Sequence, residues 1–249
     1  MHQKKQRRIV EILEAVDIRI KFNRGREVMF ISHLDLMRVF DRAFRRGNIP
    51  ISFSKGFNPH ANMVFGLPLQ VGVTSECEYL DITLAPDDDD KGDSGFTIDS
   101  LINSLNAQLP RGIRVLEAKR RENKSNIMSQ ITHAEYIVTL MTESFKEGTL
   151  ELIKSRVEYF LNSETCLVKK TNRVGVRDVD IRPLVKSIEV YAPKTSSESY
   201  ENGRFCIKMM LGAGSKGNLK PEILLSTLGL NDGSHFIATS IHRTGLYTE

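Results

Sequence analysis

Residues 53 to 60 read FSKGFNPH, which places two phenylalanines, a lysine, two turn residues and a histidine in eight positions between apolar runs. Gly56 and Pro59 are turn formers, so Lys55, Phe57, Asn58 and His60 are expected on a loop. Just upstream, in SHLDLMRVFDRAFRRG, Arg38, Arg42 and Arg45 recur at i, i+4 and i+7, with Arg46 beside them. On a helix they form one stripe opposite Leu36, Met37, Phe40, Ala43 and Phe44. Guanidinium groups give bidentate, charge-assisted hydrogen bonds to phosphate oxygens, which lysine cannot match geometrically. One reading is therefore an RNA site in which Phe57 stacks on an unpaired base, Lys55 meets a phosphate, and Asn58 or His60 reads a base edge. The other reading is structural: Phe53 and Phe57 plug the core, His60 satisfies a backbone carbonyl, and the arginines are a solvated face partly neutralised by Asp41.

Two further stretches carry possible chemistry. GAGSKG, residues 212–217, has the glycine spacing that lets a backbone approach a pyrophosphate. The next helix is expected to start only at Pro221, and no parallel βαβ unit surrounds the match, so dinucleotide binding is disfavoured. An anion nest formed by Gly212, Gly214, Ser215, Lys216 and Gly217 fits better, and a plain loop fits best. In RVGVRDVDIRP, residues 173–183, an extended chain puts Asp178, Asp180 and Arg182 on one side. An aspartate beside an arginine is usually an ion pair; it can also be a catalytic acid or nucleophile held ionised by its neighbour.

The scattered histidines have no ligand spacing, and Cys77, Cys166 and Cys206 form no CxxC cluster. That pattern implies neither a zinc or iron–sulfur site nor a disulfide framework, so no metal or cofactor is expected and the cysteines read as small core residues. The chain lacks a run of about 18 apolar residues, and its N-terminal stretch flanks a short apolar patch with charge on both sides. A cytoplasmic protein with no membrane partner is expected.

Net charge is +4, but the sign is unevenly spread: residues 1–60 carry 13 basic against 6 acidic side chains, and residues 61–110 carry 1 against 9. The basic excess near the arginine stripe is compatible with phosphate-bearing partners. The elements that would position these residues follow from periodicity. IRIKFN alternates like a half-buried strand, the arginine segment has helical spacing with Ser32 and Asp35 as its capping signal, and Gly47 ends it. IPISFS, NMVFGLPLQVGV and CEYLDITL read as extended, TIDSLINSLNAQL as a helix, and GIRVLEAKR as a strand. The second half repeats the order. The expectation is an α+β protein of tandem ferredoxin-like (βαββαβ) units with antiparallel sheets, covering residues 17–122 and 133–249 after an N-terminal extension, residues 1–16. APDDDDKGDSG reads as a solvated acidic loop.

The block from Ile18 to Leu84, together with VRDVDIRPLV and GSKGNLKPEILL, resembles the radical-SAM-linked family, a bacterial domain of unknown function found alone or fused to the C-terminal side of radical SAM proteins. The residues before Asp17 and the acidic loop at 87–93 look like additions to that pattern. The resemblance implies a partnership: this chain lacks the three-cysteine iron–sulfur motif of a radical SAM enzyme, so it would act as an accessory to one. RDVDIR is also similar to the catalytic aspartate motif of one class of tRNA pseudouridine synthases, whose cleft is built from two ferredoxin-like halves. That likeness would make Asp180 or Asp178 the catalytic residue. The leading expectation is a non-catalytic accessory that binds tRNA or ribosomal RNA beside a radical SAM partner, with no DNA specifically implied. A pseudouridine-synthase-like enzyme and a protein adaptor, docking through a sheet edge or MVFGLPLQVG, are the alternatives.

Overall fold

The structure is a computed structural model. It describes residues 15–85, 97–122, 125–142, 148–172, 175–191, 203–214, 217–231 and 235–248. The N-terminal extension to residue 14, the acidic loop, and Ser215 and Lys216 lie outside the described residues.

β1 (Val16–Arg24) forms because its apolar residues alternate, which buries Ile18, Ile20 and Phe22 on one face. Ser32 caps α1 (His33–Arg46) by accepting from the Asp35 N–H at 3.1 Å, and the Gly47 N–H closes its last turn on the Ala43 carbonyl at 2.9 Å. The buried stripe of α1, Leu36, Phe40, Ala43 and Phe44, sets Phe40 edge-on against Phe22, with ring centroids 4.9 Å apart. β2 (Met63–Phe65) and β3 (Thr74–Leu84) follow. α2 (Ile98–Gln108) starts from a capping box between Thr97 and Ser100, and β4 (Ile113–Arg120) completes the first half. Its core gathers β1, β3, α1 and α2 around Phe22, Phe40, Leu80, Leu101 and Leu105.

A one-turn helix, α3 (Ile127–Gln130), leads into β5 (Ile131–Met141) and α4 (Thr149–Asn162). β6 (Leu167–Asn172) and β7 (Gly175–Asp180) pair only with each other, as a hairpin outside the main sheet. β8 (Val185–Tyr191), β9 (Arg204–Gly212), α5 (Pro221–Thr227) and β10 (Ile237–Thr248) close the chain. A second core forms around Val138, Leu140, Ile153, Phe160, Ile207 and Leu224.

The α+β class holds, but the expected separate sheets are one. A mostly antiparallel sheet runs β4-β1-β3-β10-β5-β9-β8, with β2 on β3. The join is parallel and short: His242 pairs with Thr74 and Arg243 with Ser75. It arises because β2 covers only the later part of β3, opposite residues 80–82, and leaves the first part of that edge to β10. The strand expected over IPISFS is reduced to two isolated bridges, Ile51 with Leu84 and Phe53 with Ala61. Pro50 has no N–H to donate, and the strand role passes to β2. Cys77 and Cys206 are buried, and Cys166, partly buried, packs against the second core. Among the described residues no helix is long and apolar enough to cross a membrane.

Candidate nucleic-acid interface

The α1 arginines lie on the exposed face opposite its core stripe, and they are not equivalent. Arg38 meets Asp35 at 2.9 Å, and Arg45 meets Asp41 at 3.0 Å. The Asp35 carboxyl is held below its ordinary value by hydrogen bonds from Ser32 and Arg38. Such pairs on a solvated helix face are weak, so exchanging an aspartate for a phosphate costs little. Arg42 makes no ion pair among the described residues and is the free cation of the stripe. Arg46 departs from the set: its guanidinium donates to the Gln108 carbonyl at 2.7 Å and so ties α1 to the C-terminus of α2.

The FSKGFNPH loop joins this face through Arg45, whose guanidinium carbon sits 5.5 Å from the centre of the Phe53 ring. The loop base is closed twice: the Ser54 N–H donates to the His60 carbonyl at 2.8 Å, and the His60 N–H to the Ser54 hydroxyl at 3.0 Å. Gly56 has φ +148°, a backbone conformation that side chains rarely adopt, which lets the tip turn within four residues. The expected core plug is overturned for Phe57, which is fully exposed, and Phe53 is 39% exposed under Arg45. Lys55, Asn58 and His60 are exposed on the same loop. The structure leaves Arg38, Arg42 and Arg45 exposed on α1 and Lys55, Phe57, Asn58 and His60 exposed on the loop, and links helix to loop through the Arg45–Phe53 contact.

The other two candidate sites are elsewhere. Gly212 ends β9, and Gly214, with φ +83°, passes so close to the Ile131 carbonyl that a side chain there would collide with it. Packing therefore accounts for Gly214 without an anion. β7 ends at Asp180, and Arg182 sits in a following 3-10 turn, so the expected shared face of Asp180 and Arg182 does not form. Asp180 instead accepts from the Cys166 N–H at 2.8 Å and the Arg182 N–H at 3.0 Å. Arg182 donates to the Leu161 and Val185 carbonyls. Asp178 is exposed on the hairpin. No group of three metal-ligating side chains occurs among the described residues.

Sequence reasoning missed two features. Phe30 and Leu34, 74% and 63% exposed, lie at the N-terminal end of α1, and the Gly72 N–H bonds the Met29 carbonyl, next in sequence to exposed Val71 and Phe30 respectively. The second is a buried charge cluster at the join of the two halves. Arg243 donates to Glu78 at 2.8 Å and to the Tyr136 hydroxyl at 3.2 Å, and Arg24 lies beside them. Its signal was present in β1, where the buried alternation Ile18, Ile20, Phe22 runs on into Arg24.

A family model described as "uncharacterized protein conserved in bacteria" (DUF2344) matches residues 17–221 of this chain. The chain belongs to this family. The DUF2344 match covers the arginine stripe, the FSKGFNPH loop and both aspartates, and it begins where the N-terminal extension was expected to end. Among solved structures, the crystal structure of a proposed glycine cleavage system transcriptional repressor aligns over 94% of this chain and 99% of its own, at 9% identity and a TM-score of 0.23. At that score the likeness says nothing about this protein's activity. None of the curated proteins compared matches the chain.

Proposed function

We propose that this DUF2344 protein is a non-catalytic RNA-binding accessory whose site is the exposed face of α1 with the FSKGFNPH loop. The observation that carries the reading is Phe57: a fully exposed aromatic ring on a loop pinned at its base, beside an arginine-rich helix. Leaving a phenylalanine in water forfeits about 2 kcal/mol of burial, a cost that a stacked base recovers. Arg38, Arg42 and Arg45 hold successive phosphates, Lys55 a further one, and Asn58 or His60 reads a base edge, which suits single-stranded segments of tRNA or ribosomal RNA. Arg46 belongs to the scaffold. The strand orders β4-β1-β3-β2 and β10-β5-β9-β8 support reading the halves as two ferredoxin-like units fused through β3 and β10, with the β6–β7 hairpin inserted in the second. The radical SAM partner rests on the sequence resemblance. If the purified protein binds total bacterial RNA no better than a protein of matched charge, the reading falls.

Exposed Phe30, Leu34 and Val71 favour a second reading, a protein-docking surface for that partner. Phe30→Asp should abolish co-purification with a radical SAM protein while leaving RNA affinity within twofold. The enzymatic alternative through Asp180 finds less support, since one of its oxygens is engaged by two backbone donors that shape the turn after β7.

A further inference from the structure

A cavity of about 610 Å³ opens where the halves meet, between residues 74–76 of β3 and 239–242 of β10, with Arg24 and Arg26 on its wall. Its volume falls in the ~300–1,000 Å³ range of small-molecule sites. The charge around it does not balance. Arg24 and Arg243 are 1% and 2% exposed, and one buried carboxylate, Glu78, stands against the two. Glu78 is taken by Arg243, at 2.8 and 3.1 Å. Among the described residues Arg24 donates only to carbonyls, those of Ile31 at 2.5 Å, Met29 at 3.2 Å, Val28 at 3.3 Å and Leu69 at 3.5 Å. Burial and the neighbouring Arg243 both disfavour its charge, and Glu78 offsets them in part. Two buried guanidinium groups against one buried carboxylate leave a net positive charge, which stabilises any anion brought to the adjacent wall.

The wall also offers what an anion would hold. Arg26 is exposed and makes no ion pair among the described residues. His242 sits with its Nδ1 2.8 Å from the Thr74 hydroxyl, which leaves Nε2 toward the carboxylate of Glu76 at 3.8 Å. Ser240 adds a hydroxyl. Glu76 is the acidic group on the wall, and it is largely solvated.

We propose that this cavity binds a phosphomonoester, with Arg26, His242 and Ser240 as direct donors and Arg24 as the fixed charge behind them. The phosphate comes from a free nucleotide or from the 5′ end of an RNA. The site goes beyond the RNA reading, because it uses none of the α1 arginines.

The test is calorimetric titration with AMP, inorganic phosphate, and the 5′-phosphorylated and 5′-hydroxyl forms of one short oligonucleotide, alongside amide chemical shifts. The expected result is binding of AMP with shifts concentrated at residues 72–76 and 239–242. Loss of one charge-assisted hydrogen bond in Arg26→Ala should weaken it about tenfold. His242→Ala should weaken it as well, while Arg38/Arg42/Arg45→Ala should retain AMP binding. A preference for the 5′-phosphorylated oligonucleotide over AMP would support the site with an RNA end as its source. The proposal is overturned if no phosphate probe binds at millimolar concentration, or if neither Arg26→Ala nor His242→Ala changes the affinity.

Discussion

The α1 face and the join between the halves use the same chemical pair, arginine with a carboxylate, to opposite ends. On α1 both pairs are solvated, Arg38 with Asp35 and Arg45 with Asp41, and each can let go of its partner at small cost. At the join Arg243 and Glu78 are both buried, and further along β3 the part-buried Arg19 and Arg121 close on the buried carboxylate of Asp81. Releasing one of those leaves a bare charge inside the protein. Burial therefore decides which arginines can exchange partners and which hold the fold.

The comparison breaks most visibly at Glu78. Glu78→Ala leaves Arg24 and Arg243 facing each other without a carboxylate, and stability should fall by about 3–5 kcal/mol in urea denaturation. Asp35→Ala, at a solvated pair, should shift the urea midpoint far less in the same measurement. Equal costs would remove the distinction.

Asp81 sharpens the comparison through pH. Burial alone would push its carboxyl up, but hydrogen bonds from Arg19, Arg121 and the Ile127 N–H outweigh that and hold it below its ordinary value. A carboxyl depressed in the folded state contributes stability that is fully present above its unfolded value, about 3.9, and is lost as pH falls through the folded value. Melting temperature should therefore drop on acidification below about pH 4, and the drop should be shallower in Asp81→Asn, which starts from a lower plateau. An unchanged acid profile in that variant would show that Asp81 is not the group responsible.

On the exposed face the expected effects are on binding. Phe57→Ala should weaken single-stranded RNA by about 1–3 kcal/mol, the range for one stacked base, with no loss of stability because the ring packs against nothing. The smallest effect has the opposite sign. Asp35→Asn with Asp41→Asn frees Arg38 and Arg45 from their intramolecular anions, and RNA affinity should rise a few-fold at low salt. A fall would mean that the aspartates position the arginines for binding.

Local periodicity made much of this legible. The α1 cap at Ser32, its buried stripe and its exposed arginines follow from spacing alone, as does the start of α5 at Pro221. The single sheet was not legible, because the β3–β10 pairing spans a sequence separation of some 168 residues and depends on how little of β3 is taken by β2. The loop's aromatic was ambiguous for a related reason: Phe22, Phe40, Phe44 and Phe65 already fill the first core, which leaves Phe57 outside. Arg46 could not be separated from its neighbours, since its partner Gln108 lies 62 residues away. Arg24 was readable as an interruption of an apolar face, but only the fold supplies Glu78 and Arg243 around it.

The central claim is that α1 is an RNA-binding face, and it is tested most directly by RNA affinity across a salt series for the native protein and for Arg38/Arg42/Arg45→Ala. Counterion release predicts that losing three phosphate contacts flattens the log–log slope by about 2 units on single-stranded RNA. A variant that binds with the native slope, or a native protein that does not bind, would contradict it.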